Sequence, residues 1–145
     1  MAPRLQAEHD LPAAELSLLE DRLNSENRRV TSRDDDQALT FVIRDETGDA
    51  IGIAAGYSWA STSELKLMWI DEAFRGRGYA SRLLQAFVAE AASRGVRKIW
   101  VSSHDFQAPA LYEKAGFARI AELVDWPEGH SNIILCRTIE AGSAA

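Results

Sequence analysis

Glu64-Leu-Lys-Leu-Met-Trp-Ile70-Asp-Glu-Ala-Phe-Arg75-Gly-Arg-Gly-Tyr-Ala80 joins an apolar run to a strongly periodic one, and this junction decides how the chain is read. Glu64–Ile70 has the length and composition of a strand. Beyond it, Ala80, Leu83, Leu84, Phe87, Val88 and Ala91 recur at i, i+3, i+4, i+7, i+8 and i+11. That spacing gathers them on one face of a helix over residues 80–94, and Gly95 stands where a C-cap glycine would end it. Gly76 and Gly78 lie between strand and helix. With no Cβ to block an approach, they let the backbone turn its N–H groups inward. The helix adds the positive end of its dipole, so the loop suits a diphosphate, with Arg75, Arg77 and Arg82 as flanking charge. It is not a Walker loop, because no Gly-Lys-Ser/Thr follows. A dinucleotide fingerprint is excluded too: the third glycine is missing, and so is an acidic residue ending the next strand.

Outward from the junction, Val96–Ser102 reads as a strand, so residues 64–102 form a strand–helix–strand unit with a right-handed crossover and a parallel pair. Upstream, Leu39–Arg44 and Ala50–Trp59 are strands around the turn Asp45–Asp49, and Ser61–Ser63 makes a second turn. On Ala50–Trp59 the residues Ile51, Ile53, Tyr57 and Trp59 share one parity. Downstream, Ala108, Leu111, Tyr112 and Ala115 give a short helix ended by Gly116. Phe117–Val124 and Ser131–Ile139 are strands joined by Trp126-Pro127-Glu128-Gly129. Leucines at 11, 16, 18, 19 and 23 predict an amphipathic helix over 11–24, and 24–37 reads as a polar loop or irregular helix. The element order predicts an α/β protein of the α+β kind. Its sheet is mixed and mostly antiparallel, with one parallel β-α-β pair and helices on both faces. One domain is expected over residues 1–145, with a frayed tail at the end, 142–145 above all.

Of the 145 residues, 46% are hydrophobic and 26% charged, an ordinary soluble composition. A net charge of −6 argues against a nucleic-acid partner. The lone Cys136 reads as a strand residue. The start of the chain has no basic and apolar signal segment, and the nearly apolar stretch Ala50–Ala60 is too short and glycine-rich to span a bilayer. A cytoplasmic location away from membranes is the expectation. His9, His104 and His130 have no metal-ligand spacing with one another or with Cys136, and no metal is expected.

Two motifs carry a resemblance. Arg75-Gly-Arg-Gly-Tyr-Ala80 resembles the Gln/Arg-x-x-Gly-x-Gly/Ala signature of the GNAT superfamily of N-acetyltransferases. Asp105-Phe-Gln-Ala-Pro-Ala-Leu-Tyr112-Glu-Lys-Ala-Gly116-Phe117 is similar to its Asn-x-x-Ala-x-x-Leu-Tyr-Glu-Lys-x-Gly-Phe segment. The element order agrees from about residue 11 to 139. The resemblance implies the GNAT acyl-CoA N-acyltransferase fold and acetyl transfer from acetyl-CoA to a primary amine within a ternary complex. The amides of Arg75, Gly76, Arg77, Gly78, Tyr79 and Ala80 would bind the pyrophosphate. Trp69 and Ile70 would offer backbone contacts where their strand splays from its parallel neighbour. Asp105 stands at the family's asparagine, a cofactor contact, and an N-cap for the short helix is its alternative reading. Members of the family are often homodimers, although nothing in this sequence names an interface.

An ammonium acceptor must lose a proton before attack, and the departing thiolate needs a proton or a hydrogen bond. Tyr112 matches the family's general acid. Glu64, six residues before Ile70, sits where histone acetyltransferases of the superfamily carry their base, and strand parity puts it on one face with Lys66, Met68 and Ile70. The hairpin Asp125–Ser131 resembles a Pro-x-Gly-His turn of small bacterial members that edges the acceptor pocket; an ordinary hairpin turn is its plain reading. The acceptor itself, small molecule or peptide, is not legible. A non-catalytic CoA-binding sensor or regulatory module is the alternative function, since it would need neither Glu64 nor Tyr112.

Overall fold

A computed structural model describes residues 1–140; the tail expected over 142–145 lies outside them. The chain divides into two compact units, residues 1–34 and residues 35–145. The first holds α1 (Ala13–Thr31), which runs beyond the 11–24 read from the leucines. Residues 24–31, read above as part of a polar loop or irregular helix, belong to the regular helix. They lack an apolar period, but Glu26, Arg28 and Arg29 are good helix formers, and the Thr31 hydroxyl donates to the Asn27 carbonyl at 2.7 Å. Ser32, in the left-handed conformation (φ 56°), ends the helix.

The second unit is a six-stranded mixed sheet. Its elements are β1 (Gln37–Arg44), β2 (Ala50–Trp59), β3 (Thr62–Ile70), α2 (Tyr79–Ser93), β4 (Lys98–His104), α3 (Pro109–Lys114), β5 (Ala118–Val124) and β6 (Ser131–Thr138). The spatial order is β1-β2-β3-β4-β6-β5, and only β3 and β4 are parallel. The predicted mixed sheet with one parallel pair is therefore observed. Thr62 already belongs to β3, so the turn placed at 61–63 is tighter than expected.

Leu83, Leu84, Phe87, Val88 and Ala91 of α2 are buried, as the periodicity required. They share a core with Leu39, Ala54, Leu65, Ile99 and Leu135 of the sheet. Val96 N–H donates to the Ala91 carbonyl and Gly95 N–H to Ala92, both at 3.0 Å, while Gly95 takes φ 82°. This double closure at a left-handed glycine is what the sequence placed there. At the same end Arg94 reaches the Ser58 hydroxyl and the Ala38 carbonyl, each at 3.0 Å, locking α2 over β1 and β2. The α2-facing side of β2 is Gly52, Ala54 and Ser58. The larger Ile53, Tyr57 and Trp59 thus turn to the opposite face, because small residues are what the close helix permits there.

One irregularity shapes everything downstream. β2 and β3 pair Tyr57 with Glu64 and Gly56 with Leu65, then resume with Ala55 against Leu67, leaving Lys66 as an extra residue in β3. This bulge shifts the side-chain phase of β3 by one position. Leu65 before it and Met68 and Ile70 after it pack into the core, whereas Lys66, Leu67 and Trp69 stand exposed. Glu64 therefore keeps Lys66 as a face-mate but shares its face with Leu67 and Trp69, not with Met68 and Ile70; simple alternation fails across a bulge. Gly56 makes the bulge feasible, since a Cβ there would collide with the Glu64 carbonyl oxygen and crowd Leu65 Cα at 3.1 Å. Substituting Gly56→Ala is expected to lower unfolding free energy by roughly 1–3 kcal/mol. Urea denaturation measures this, and wild-type stability in the variant would show that the bulge accepts a side chain.

Candidate active site

β3 and β4 pair only from Thr62 against Lys98 to Leu65 against Val101. Beyond that point the two strands diverge, and a cavity of about 590 Å³ opens between them. Its walls are Leu65–Ile70 of β3, Phe74–Ser81 without Arg77, Val101–Ser103 of β4, and Phe106–Ala108 with Leu111 and Tyr112. The predicted residues Trp69, Ile70, Arg75, Gly76, Gly78, Tyr79, Ala80 and Tyr112 are brought together here; Glu64, Arg77 and Asp105 are not on the wall.

The glycine loop forms one end. A short 3-10 turn, Glu72–Phe74, is capped by Asp71, whose carboxylate accepts from the Ala73 amide at 2.9 Å. Gly76 and Gly78 then take φ 78° and 81°. A Cβ on either would meet nothing within 4 Å, so what these positions demand of glycine is its left-handed backbone rather than its size. No side chain caps the head of α2, which leaves first-turn amides free of helical acceptors and the positive end of the dipole facing the cleft. Arg75 folds back to donate to the Ile70 carbonyl at 3.0 Å. Arg77 lies over Phe74 at 5.3 Å, and Arg82 over Tyr79 at 5.8 Å. The loop's positive character thus comes from its amides first and its guanidinium groups second.

Tyr112 forms the other end. It is 4% exposed and meets Phe117 edge-on with ring centroids 5.8 Å apart. Burial pushes its hydroxyl up to about 12 from 10.0, so the phenol stays protonated throughout the neutral range and can only donate or share its proton.

Glu64 and Tyr57 are cross-strand partners on the sheet face away from α2. The Tyr57 hydroxyl donates to Glu64 Oε1 at 3.1 Å. Burial, and then the hydrogen bond and charge of Glu64, raise the Tyr57 hydroxyl above its ordinary range. Lys66 Nζ lies 5.1 Å from the centroid of the same ring.

Asp105 caps no helix, since the N-cap of α3 is Ala108 and no side chain caps it. Its two oxygens instead hold the β5–β6 hairpin, Oδ1 meeting His130 Nδ1 and Oδ2 accepting from the Ser131 amide, both at 2.9 Å. The Ser131 amide, and after it the hydrogen bond and charge of His130, keep the Asp105 carboxyl below the usual carboxylate range. Gln107 lines the cleft with its Oε1 held by the His104 amide at 2.7 Å. Phe106 stacks on His104 and meets the edge of His130, both at 5.0 Å. The sequence reading gave Gln107 and Phe106 no role, although both lie within the second motif, and none to Phe74, Ser102 and Ser103, whose only signal was a position near the two motifs.

A parallel strand pair that opens over a glycine turn at an uncapped helix head forms a cleft suited to a ligand that carries a diphosphate. The chain belongs to the GNAT acetyltransferase family, whose model matches residues 6–117, and it is an acetyl-transferring enzyme. It is 30% identical over 95 residues to the blasticidin-S acetyltransferase of Streptomyces morookaense, covering 65% of this chain and 70% of that one. A crystal structure from Agrobacterium tumefaciens, assigned as an acetyltransferase, superposes with a TM-score of 0.83 at 26% identity, covering 96% of this chain and 100% of that one. A GNAT acetyltransferase from Elizabethkingia anophelis with acetyl-CoA bound shares the fold, with a TM-score of 0.60 at 19% identity over 92% of this chain and 95% of that one.

The buried phenol makes a measurable prediction. Its folded pKa lies above the unfolded value, so its contribution to stability is complete below about pH 10 and fades as pH rises toward about 12. Between pH 10 and 12 the wild type should lose stability faster than Tyr112→Phe, by roughly 1.4 kcal/mol per pH unit. Urea titrations of both proteins from pH 9 upward test this, and parallel curves would mean that the phenol is not sequestered.

Proposed function

We propose that residues 1–145 act as one domain that moves an acetyl group from acetyl-CoA to a primary amine by direct attack in a ternary complex. The observation that carries this reading is the divergence of β3 from β4 beyond Leu65 and Val101, with the glycine loop at one end and Tyr112 at the other. The amides of residues 75–80 receive the pyrophosphate, with Arg75 and Arg77 adding charge. The unpaired edge of β3 around Trp69 and Ile70 offers backbone groups to the pantetheine arm in the manner of an added strand. Asp105 contributes at one remove, by holding the hairpin against the loop that carries Gln107.

In the reaction Glu64, directly or through water, takes a proton from the acceptor ammonium. The freed nitrogen lone pair attacks the thioester carbonyl, a C–N bond forms, and backbone N–H groups of β3 stabilise the oxyanion. The C–S bond then breaks as the nitrogen gives up its second proton. The departing sulfur accepts a hydrogen bond from Tyr112 and leaves as the thiol, so one proton in total passes to solvent. Support for acetyl-CoA as donor comes from the family and from the acetyl-CoA-bound relative.

A thiol-release assay over an amine panel tests the activity. With the best acceptor, Tyr112→Phe and Glu64→Gln should each lower kcat by roughly 10²-fold or more, while calorimetry finds acetyl-CoA bound with little change. Wild-type turnover in either variant would remove that residue from the mechanism. Folded protein that fails to bind acetyl-CoA would remove the mechanism altogether.

A further inference from the structure

Glu64 and Lys66 share one sheet face because of the bulge at Lys66, and Lys66 lines the cleft while Glu64 stands one residue before its β3 wall, which begins at Leu65. They lie two residues apart with opposite charge, yet no ion pair joins them among the described residues. Tyr57 keeps them separate: its hydroxyl holds Glu64 Oε1 at 3.1 Å, and its ring carries the Lys66 ammonium at 5.1 Å. One carboxylate oxygen of Glu64, at the hydroxyl of the ring, and the N–H donors of Lys66, over its face, therefore have no hydrogen-bonding partner among the described residues. A site for a simple cationic amine would gain nothing from a lysine here, because a fixed cation repels an ammonium. A site for an amine that also carries an anion would gain from both charges.

We infer that the acceptor is a zwitterion, an amine bearing a carboxylate, whose ammonium is received by Glu64 and whose carboxylate is received by Lys66. This rests on the acetyl-transfer reading above and names the acceptor class for that same site. The arrangement also sets orientation. With the carboxylate fixed at Lys66, the amine beside Glu64 is the group presented to the thioester, so of two amines on one acceptor the one nearer the carboxylate is the one acetylated.

The experiment compares matched pairs of acceptors, free amino acids against their carboxamides, with acetyl-CoA as donor and thiol release as readout. The wild type should prefer the carboxylates by roughly tenfold in kcat/KM, the value of one charge-assisted hydrogen bond. Lys66→Met should bring the ratio near one, and Lys66→Glu should invert it in favour of the carboxamides. Lys66 is exposed, so both variants should fold, and thermal melts confirm it. Equal use of carboxylates and carboxamides by the wild type, or an unchanged ratio in Lys66→Met, would overturn the zwitterion assignment while leaving amine acetylation standing. If acetyl-CoA binds but no amine of either kind is acetylated, both readings fall.

Discussion

The structure depends on one close approach, the backbone of Gly56 against the Glu64 carbonyl and Leu65 Cα. No side chain fits between the two strands there, and that contact is what allows β3 to take an extra residue without leaving the sheet. The extra residue, Lys66, falls one position past Leu65, the last residue of β3 paired to β4. Bending a strand where its second neighbour ends gives divergence instead of continued pairing, because a bulge increases local twist. The cleft is thus a product of strand geometry rather than of a loop that happened to leave room. Its β3 wall offers unpaired backbone at an edge, and where the pairing stops decides how far that edge extends.

The same contact explains which parts of the molecule were legible in the sequence. The α2 period, its Gly95 terminus and the Gly76–Gly78 turn were readable because each rests on a local rule: spacing on a helix face, or a glycine where φ is positive. The single parallel pair followed from a strand–helix–strand order. Residues 24–31 stayed open between loop and irregular helix because their helix is carried by propensity, without the apolar stripe that betrays α2. The face of Glu64 was half misread for a different reason. Alternation is a rule about regular strands, and nothing local in Leu65-Lys66-Leu67 announces a bulge; its cause sits ten residues upstream, in Gly56. Asp105 stands at a position that a motif marks for cofactor contact, yet its carboxylate is engaged with His130 and Ser131, partners some 25 residues downstream that no local pattern could supply.

In the roles proposed for them, Glu64 and Tyr112 lie on opposite sides of the sheet layer, and the diverging strands are the passage between them. Tyr112 is buried on the core side with its hydroxyl held up to about 12. An ordinary thiol titrates near ~8.5, so outright transfer of the phenolic proton to a free thiolate would run uphill. The phenol is better matched to the transition state, where the sulfur has begun to carry charge while still bonded to carbon; a strong hydrogen bond there costs no full proton transfer. The proton that finally rests on sulfur can then come from the nitrogen as the adduct collapses, with Tyr112 as the relay. Glu64 sits on the wetter face beside Tyr57, where an incoming ammonium still has water to take its charge. In the proposed mechanism burial would thus divide the labour, with the more exposed side removing a proton and the dry side stabilising the negative charge left on the leaving group.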